Sequence, residues 1–182
     1  MIRGPTVIKI GNAPSGGSGF TCCCCFKCCT CLNLQFLRTD IGMIKLAELI
    51  LGFFCQSLAL NFGSAYSSSM GSAYYGFITT ASWSCMTVFL LLFCYIFSEK
   101  SVYLMRQSLF ETSFNILASC GYLSSCSVLG FIVNTVLYPL YMVTPFFQVF
   151  PAMTSTYILG IILGLIHAYD AYKSFKFLQG YR

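Results

Sequence analysis

The stretch AMTSTYILGIILGLIHAYDAYKSF (residues 152–175) decides the fold. From Ala152 to Ile166 it carries no charge, and its ionisable groups, His167, Asp170 and Lys173, come only in its last turns. A helix needs about 20 apolar residues to cross roughly 30 Å of hydrocarbon at about 1.5 Å per residue, and this segment is long enough. It lacks the in–out alternation of a membrane β-strand of about 10 residues. The reading is a membrane-spanning helix.

Three more stretches read the same way, over residues 41–62, 74–97 and 109–136. The composition agrees: 57% of the residues are hydrophobic, only 8% are charged, and the mean hydropathy is +0.77. A soluble domain carries about a quarter charged residues, so this chain has too little polar surface to face water. The expected fold is an all-α membrane protein, a four-transmembrane-helix bundle over residues 36–177. A flexible tail (1–35) precedes it and a short tail (178–182) follows. The opening MIRGPTVIKIGNAPSGGSGF has neither the apolar core nor the cleavage site of a signal peptide. Ile2 stands where N-myristoylation requires glycine.

Charge sets the expected orientation. Arg3, Lys9, Lys27 and Arg38 precede the first span, and Lys45 opens it. Lys100 and Arg106 fall between the second and third spans, in the loop SEKSVYLMRQ (98–107), and Lys173, Lys176 and Arg182 end the chain. The other two connections, GSAYSSSMGSA (63–73) and LYPLYMVTPFFQVFP (137–151), carry no charge. By the positive-inside rule both termini are cytosolic. The outer connections hold no cysteine and the chain no Asn-x-Ser/Thr sequon, so neither structural disulfides nor glycans are expected. The second outer connection is rich in Pro, Tyr and Phe, suiting the membrane interface or contact with an apposed membrane.

Ionisable residues inside a membrane are costly and are functional suspects. Lys45 and Glu48 share a face of the first helix, Glu111 and Asn115 of the third, and His167 and Asp170 of the fourth. Glu48 lies roughly 12 Å in from Asp40 and Glu111 about 6 Å in from Gln107, so every pair falls in the cytosolic half. The favoured reading is a polar clasp joining the first, third and fourth helices; snorkelling at the interface and a proton relay or ion path are the alternatives. A transport site is expected nearer the midplane, at broken helices of a repeated architecture.

The fourth helix also has a small residue at every fourth position: Thr156, Gly160, Gly164 and Ala168. Such a stripe lets another backbone approach closely, either within the bundle or between copies of the chain. LFCYIFSEK (92–100) and LIHAYDAYK (165–173) fit a loose sterol-contact pattern, which any tyrosine between an apolar helix and a basic flank satisfies. A single histidine, without a phosphate loop, HExxH or GxSxG, leaves little for catalysis. No enzyme activity, cofactor, metal or nucleic-acid partner is expected.

The cysteines gather in the tail, in TCCCCFKCCTC (21–31). Zinc needs separated ligand pairs on a supporting fold, which consecutive cysteines beside a Gly/Ser-rich segment do not offer. In the reducing cytosol Cys22, Cys23, Cys24, Cys25, Cys28, Cys29 and Cys31 suit S-palmitoylation.

FLRTDIGMIKLAELILGFFCQSLAL (36–60) resembles the opening of the MARVEL domain, with Lys45, Leu46 and Glu48 matching its Lys-Leu-x-Glu element. SLFETSFNILASCGYLSS (108–125) is similar to that family's third helix, and ILGIILGLIHAYDAYKSF (158–175) to its Gly-rich fourth. The outer connections lack the cysteines of the physin and occludin groups, so the likeness is to smaller, MAL-like members. The resemblance implies vesicle trafficking, membrane apposition or cell–cell (myoblast) fusion, acting through organisation of lipids and partners. It places the protein in the plasma membrane or transport vesicles. Membrane lipids, with sterol-rich domains as one case, other membrane proteins and further copies of the chain are the expected partners. A small channel or transporter, or a cell-junction component, is the other reading.

Overall fold

The approach to the first helix is set by its cap. A 3₁₀ turn, Leu34–Arg38, leads to Thr39, whose side chain accepts from the Gly42 amide at 3.2 Å and donates to the Phe36 carbonyl at 2.6 Å. Threonine in extended backbone at this position satisfies an amide the helix cannot bond itself. Gly42 follows because a Cβ there would collide with the Phe36 carbonyl oxygen, so the turn lies directly on the helix. Phe36 is thereby buried, its ring edge-on to Tyr95 at 5.3 Å.

The structure, a computed structural model, describes residues 34–144 and 146–180, apart from the side chains of Leu34 and Glu99. Its α-helices are α1 (Asp40–Leu58), α2 (Ser67–Met70), α3 (Ser72–Phe97), α4 (Glu99–Gln107), α5 (Leu109–Ile132), α6 (Tyr138–Val143) and α7 (Val149–Gly180). No strand occurs among the described residues. The four continuous helical runs long and apolar enough to cross a membrane are Asp40–Met70, Ser72–Phe97, Leu109–Val143 and Val149–Gly180.

These runs are longer than the apolar stretches, and the expected connections shrink accordingly. The segment 63–73, read as a loop, is helical except at Gly71, whose φ of +55° makes the turn into α3. A π-helical stretch, Ala59–Gly63, carries α1 toward α2, and a second, Val133–Leu137, carries α5 into α6. Pro139 falls in the first turn of α6, where its missing amide costs nothing. The connection 98–107 is also helical: α4 sits between Ser98 and Ser108, both in extended backbone. Arg106, counted as a loop charge, thus gains a fixed direction.

The helices are apolar nearly all round, as expected where lipid replaces water. Phe53, Phe89, Phe93, Phe131 and Leu165 face outward. Inside, Cys55, Phe77, Tyr122, Cys126, Leu129 and Leu163 build one apolar cluster; Phe36, Val88, Leu92, Tyr95 and Phe114 build another. The most extensive helix pair is α5 with α7. Its close approach depends on Gly160, where a Cβ would strike Cys126 Sγ, and on Gly164, where it would lie 3.2 Å from Tyr122 and Leu123. Aromatic pairs gather where α6 leads into α7, with Tyr66 against Phe147 at 5.1 Å and Tyr138 against Phe150 at 5.4 Å. Such rings suit an interfacial belt.

Candidate functional site: a buried ion cluster

Each helix turns its polar pair inward. Lys45 and Glu48 on α1, Glu111 and Asn115 on α5, and His167 and Asp170 on α7 are all buried and meet in one cluster. Lys45 is the centre: its Nζ lies 2.6 Å from Asp170 Oδ2, 3.0 Å from Glu48 Oε2 and 3.7 Å from Glu111 Oε1, and donates to Asn115 Oδ1 at 3.1 Å. Asn115 Nδ2 donates to Asp170 Oδ2 at 2.9 Å, so its amide bridges the Lys45 ammonium and the Asp170 carboxylate. The ammonium also lies 5.6 Å from the centre of the Phe114 ring.

His167 extends the cluster. Its Nδ1 lies 3.2 Å from Asn115 Oδ1 and 3.1 Å from Glu48 Oε1, both acceptors, so Nδ1 carries a proton. On the other side Nε2 meets Ser84 Oγ at 3.2 Å, a hydroxyl able to donate to a neutral ring or accept from a charged one. The imidazole stacks on Tyr122 at 5.7 Å and meets Phe114 edge-on at 5.8 Å.

Three members came from outside the expected set. Arg106, at the last turn of α4, places NH2 3.3 Å from Asp170 Oδ1 and Nε 3.6 Å from Glu111 Oε2. It is only 3% exposed. Tyr95 donates to Glu111 Oε2 at 2.9 Å, and Ser84 reaches His167. Tyr95 and Ser84 bring in α3, so the cluster joins all four long helices and α4 rather than three helices alone. Tyr95 and Ser84 were hidden because uncharged polar residues are common in membrane helices. Arg106 was hidden because a basic residue in a short inner connection is what orientation alone demands.

Lys45 and Arg106 are two fixed cations facing the three carboxylates of Glu48, Glu111 and Asp170. Among the described residues no group of His, Cys, Asp or Glu is arranged to hold a metal; the Lys45 ammonium lies among the carboxylates instead. On the side away from the chain ends, the fully buried Phe77, Tyr122 and Leu163 fill the bundle next to the cluster.

The small-residue stripe divides. Thr156, Gly160 and Gly164 are buried, whereas Ala168 is exposed. At 3.6 residues per turn, each four-residue step drifts by about 40° around the helix. After the third step the stripe has left the interface, and the buried line continues through Leu163, His167, Asp170 and Ser174. Cys22 to Cys31 lie outside the described residues.

Comparison with known proteins supplies a relative. The chain is 44% identical over 164 residues to the Drosophila melanogaster protein singles bar, an alignment covering 90% of this chain and 93% of that protein. The chain belongs to the singles bar family. No family model and no solved structure matches it. The matched region is long enough to include most of the residues of the spanning helices.

Proposed function

We propose that this protein is a non-enzymatic scaffold of vesicle trafficking and cell–cell fusion, MARVEL-like in its domain, with both termini in the cytosol. The observation that carries this reading is the closed ion cluster. Its charged groups on α1, α4, α5 and α7 pair with one another, Tyr95 and Ser84 of α3 hydrogen-bond to them, and packed apolar side chains fill the bundle beside it. An arrangement of that kind holds helices together and leaves the lipid-facing surface for contacts with lipids and other membrane proteins. The relation to singles bar and the likeness to MAL-type proteins support membrane apposition and myoblast fusion as the setting, at the plasma membrane or on transport vesicles.

Loss of function combined with imaging of the endogenous protein tests this. The label is expected on moving vesicles and at contact sites, with fusion arrested in its absence. Label confined to stable junctions together with normal fusion would instead establish a junction component. Reconstitution into liposomes addresses the channel reading: ion flux is expected to equal that of protein-free liposomes. A conductance that depends on Lys45 or Glu48 would overturn the scaffold.

The cysteine-rich tail is proposed to be S-acylated, pinning it to the membrane surface rather than anchoring a chain that four helices already hold. A hydroxylamine-sensitive acyl label is expected on the wild type and should vanish when Cys22, Cys23, Cys24, Cys25, Cys28, Cys29 and Cys31 are changed to serine. A label unaffected by those changes would place the modification elsewhere.

A further inference from the structure

A groove of about 490 Å³ opens at the end of the bundle where α1 starts and α7 finishes. The first turn of α1 forms one wall through Asp40 and Ile41. The last turns of α7 form the other through Lys173, Lys176 and Phe177, and Arg106 of α4 closes the floor. Three cations therefore line the groove against a single carboxylate. That carboxylate does little to neutralise them: Asp40 is 91% exposed and lies 3.9 Å from Lys173 Nζ, a solvent-screened pair of small worth.

The cations differ in kind. The inner side of Arg106 is committed to Asp170 and Glu111, and its guanidinium lies 5.8 Å from the centre of the Phe177 ring, so it is rigidly held. Lys173 is half-buried and Lys176 exposed; three residues apart on α7, they share a face. The positive end of the α1 dipole adds to the same field. Ile41 and Phe177 give the groove apolar sides beside its charged mouth. Its depth matches this chemistry, because the groove lies at the ends of two spans, where lipid headgroups meet hydrocarbon. A soluble anion would use the lysines and leave the apolar walls idle. An amphiphile uses both.

We propose that this groove binds the headgroup of an anionic phospholipid, Lys173 and Lys176 meeting its phosphate oxygens and the acyl chains running past Ile41 and Phe177. Which leaflet supplies the lipid rests on the proposed orientation; the binding itself does not. It gives the scaffold a means of choosing membranes by their charge.

The full chain, purified in mild detergent, is titrated separately with phosphatidylinositol 4-phosphate, phosphatidylserine and phosphatidylcholine, and retained lipid is counted by native mass spectrometry. Both anionic lipids are expected to be retained and phosphatidylcholine to be lost. Lys173→Gln with Lys176→Gln should weaken anionic-lipid binding about tenfold or more, with an unchanged melting temperature. Asp40→Asn, at an exposed first-turn position, should strengthen it. Equal retention of phosphatidylcholine overturns the proposal, as does unaltered affinity in the lysine double variant. Should that variant fail to fold, unchanged or weaker binding by Asp40→Asn overturns it equally. Displacement of the lipid by millimolar inorganic phosphate would make the groove a soluble-anion site and overturn the lipid assignment. These readouts stand apart from trafficking and fusion, so either result leaves the scaffold reading to its own test.

Discussion

Lys45→Met is expected to prevent stable folding, with the protein retained in the endoplasmic reticulum and lost as a monodisperse species in mild detergent. The substitution is close in size, so packing changes little; charge decides the outcome. Lys45 Nζ contacts Asp170, Glu48, Glu111 and Asn115. Removing it leaves three buried carboxylates with Arg106 as their remaining fixed cation. Breaking a buried ion pair from one side costs about 3–5 kcal/mol, and a carboxylate stranded at membrane depth finds no water to replace its partner. A second change reverses the logic. Adding Glu48→Gln returns the cluster to its original net charge, and the carbonyl of the introduced amide can still accept from His167. The double variant should recover much of the lost stability, as read by the detergent-solubilised melting temperature. Glu48→Ala and Glu111→Ala alone should also misfold, because each strands part of the network. Wild-type melting and surface delivery of Lys45→Met would show that the cluster does not hold the bundle together.

Gly160→Ala is the second large effect, and it arises from shape alone. The new methyl group would be driven into Cys126 Sγ, with Phe77 at 3.1 Å on its other side. Cys126 and Phe77 are both fully buried and have nowhere to move. Overpacking of this kind costs about 1–3 kcal/mol, here at the most extensive helix pair of the bundle. Cys126→Ala removes the obstructing sulfur and leaves a small cavity, so Gly160→Ala with Cys126→Ala should be more stable than the sum of the single changes. A double-mutant cycle on thermal stability measures that coupling. Additive effects would mean that α5 and α7 separate to admit the methyl group. Ala168→Leu, on the exposed face, should leave the melting temperature almost unchanged.

Much of the candidate site was legible because helical periodicity is local. Lys45 with Glu48, Glu111 with Asn115, and His167 with Asp170 share faces by spacing alone, and three polar faces in an apolar environment have reason to meet. Arg106 was not legible in that way. A basic residue in a connection read as cytosolic accounts for itself through orientation, and only the path of α4 turns this one inward to Asp170. Tyr95 likewise reads as the tyrosine of a loose sterol-contact pattern until α3 is placed against α5, where it is fully buried and donates to Glu111. Ala168 failed for a geometric reason: four-residue spacing follows a helix face for two steps and then leaves it. The segment 63–73 looked like a loop because its small polar residues weaken local helix preference. Packing decides there, with Tyr74 donating to the Ala59 carbonyl at 3.2 Å and Met70 buried beneath.

Four spans and the polar pairs were determined by the amino-acid sequence alone. Hydrophobic length and the spacing of charge along one helix are properties of the chain itself, independent of any neighbour. Which groups pair, which glycines are indispensable and where a cationic groove opens were decided by tertiary structure. Each depends on distances of about 3 Å between atoms far apart in the chain. Lys45 and Asp170 stand at 2.6 Å only because α1 and α7 are brought side by side. No local spacing encodes that approach; the packing of the whole bundle sets it.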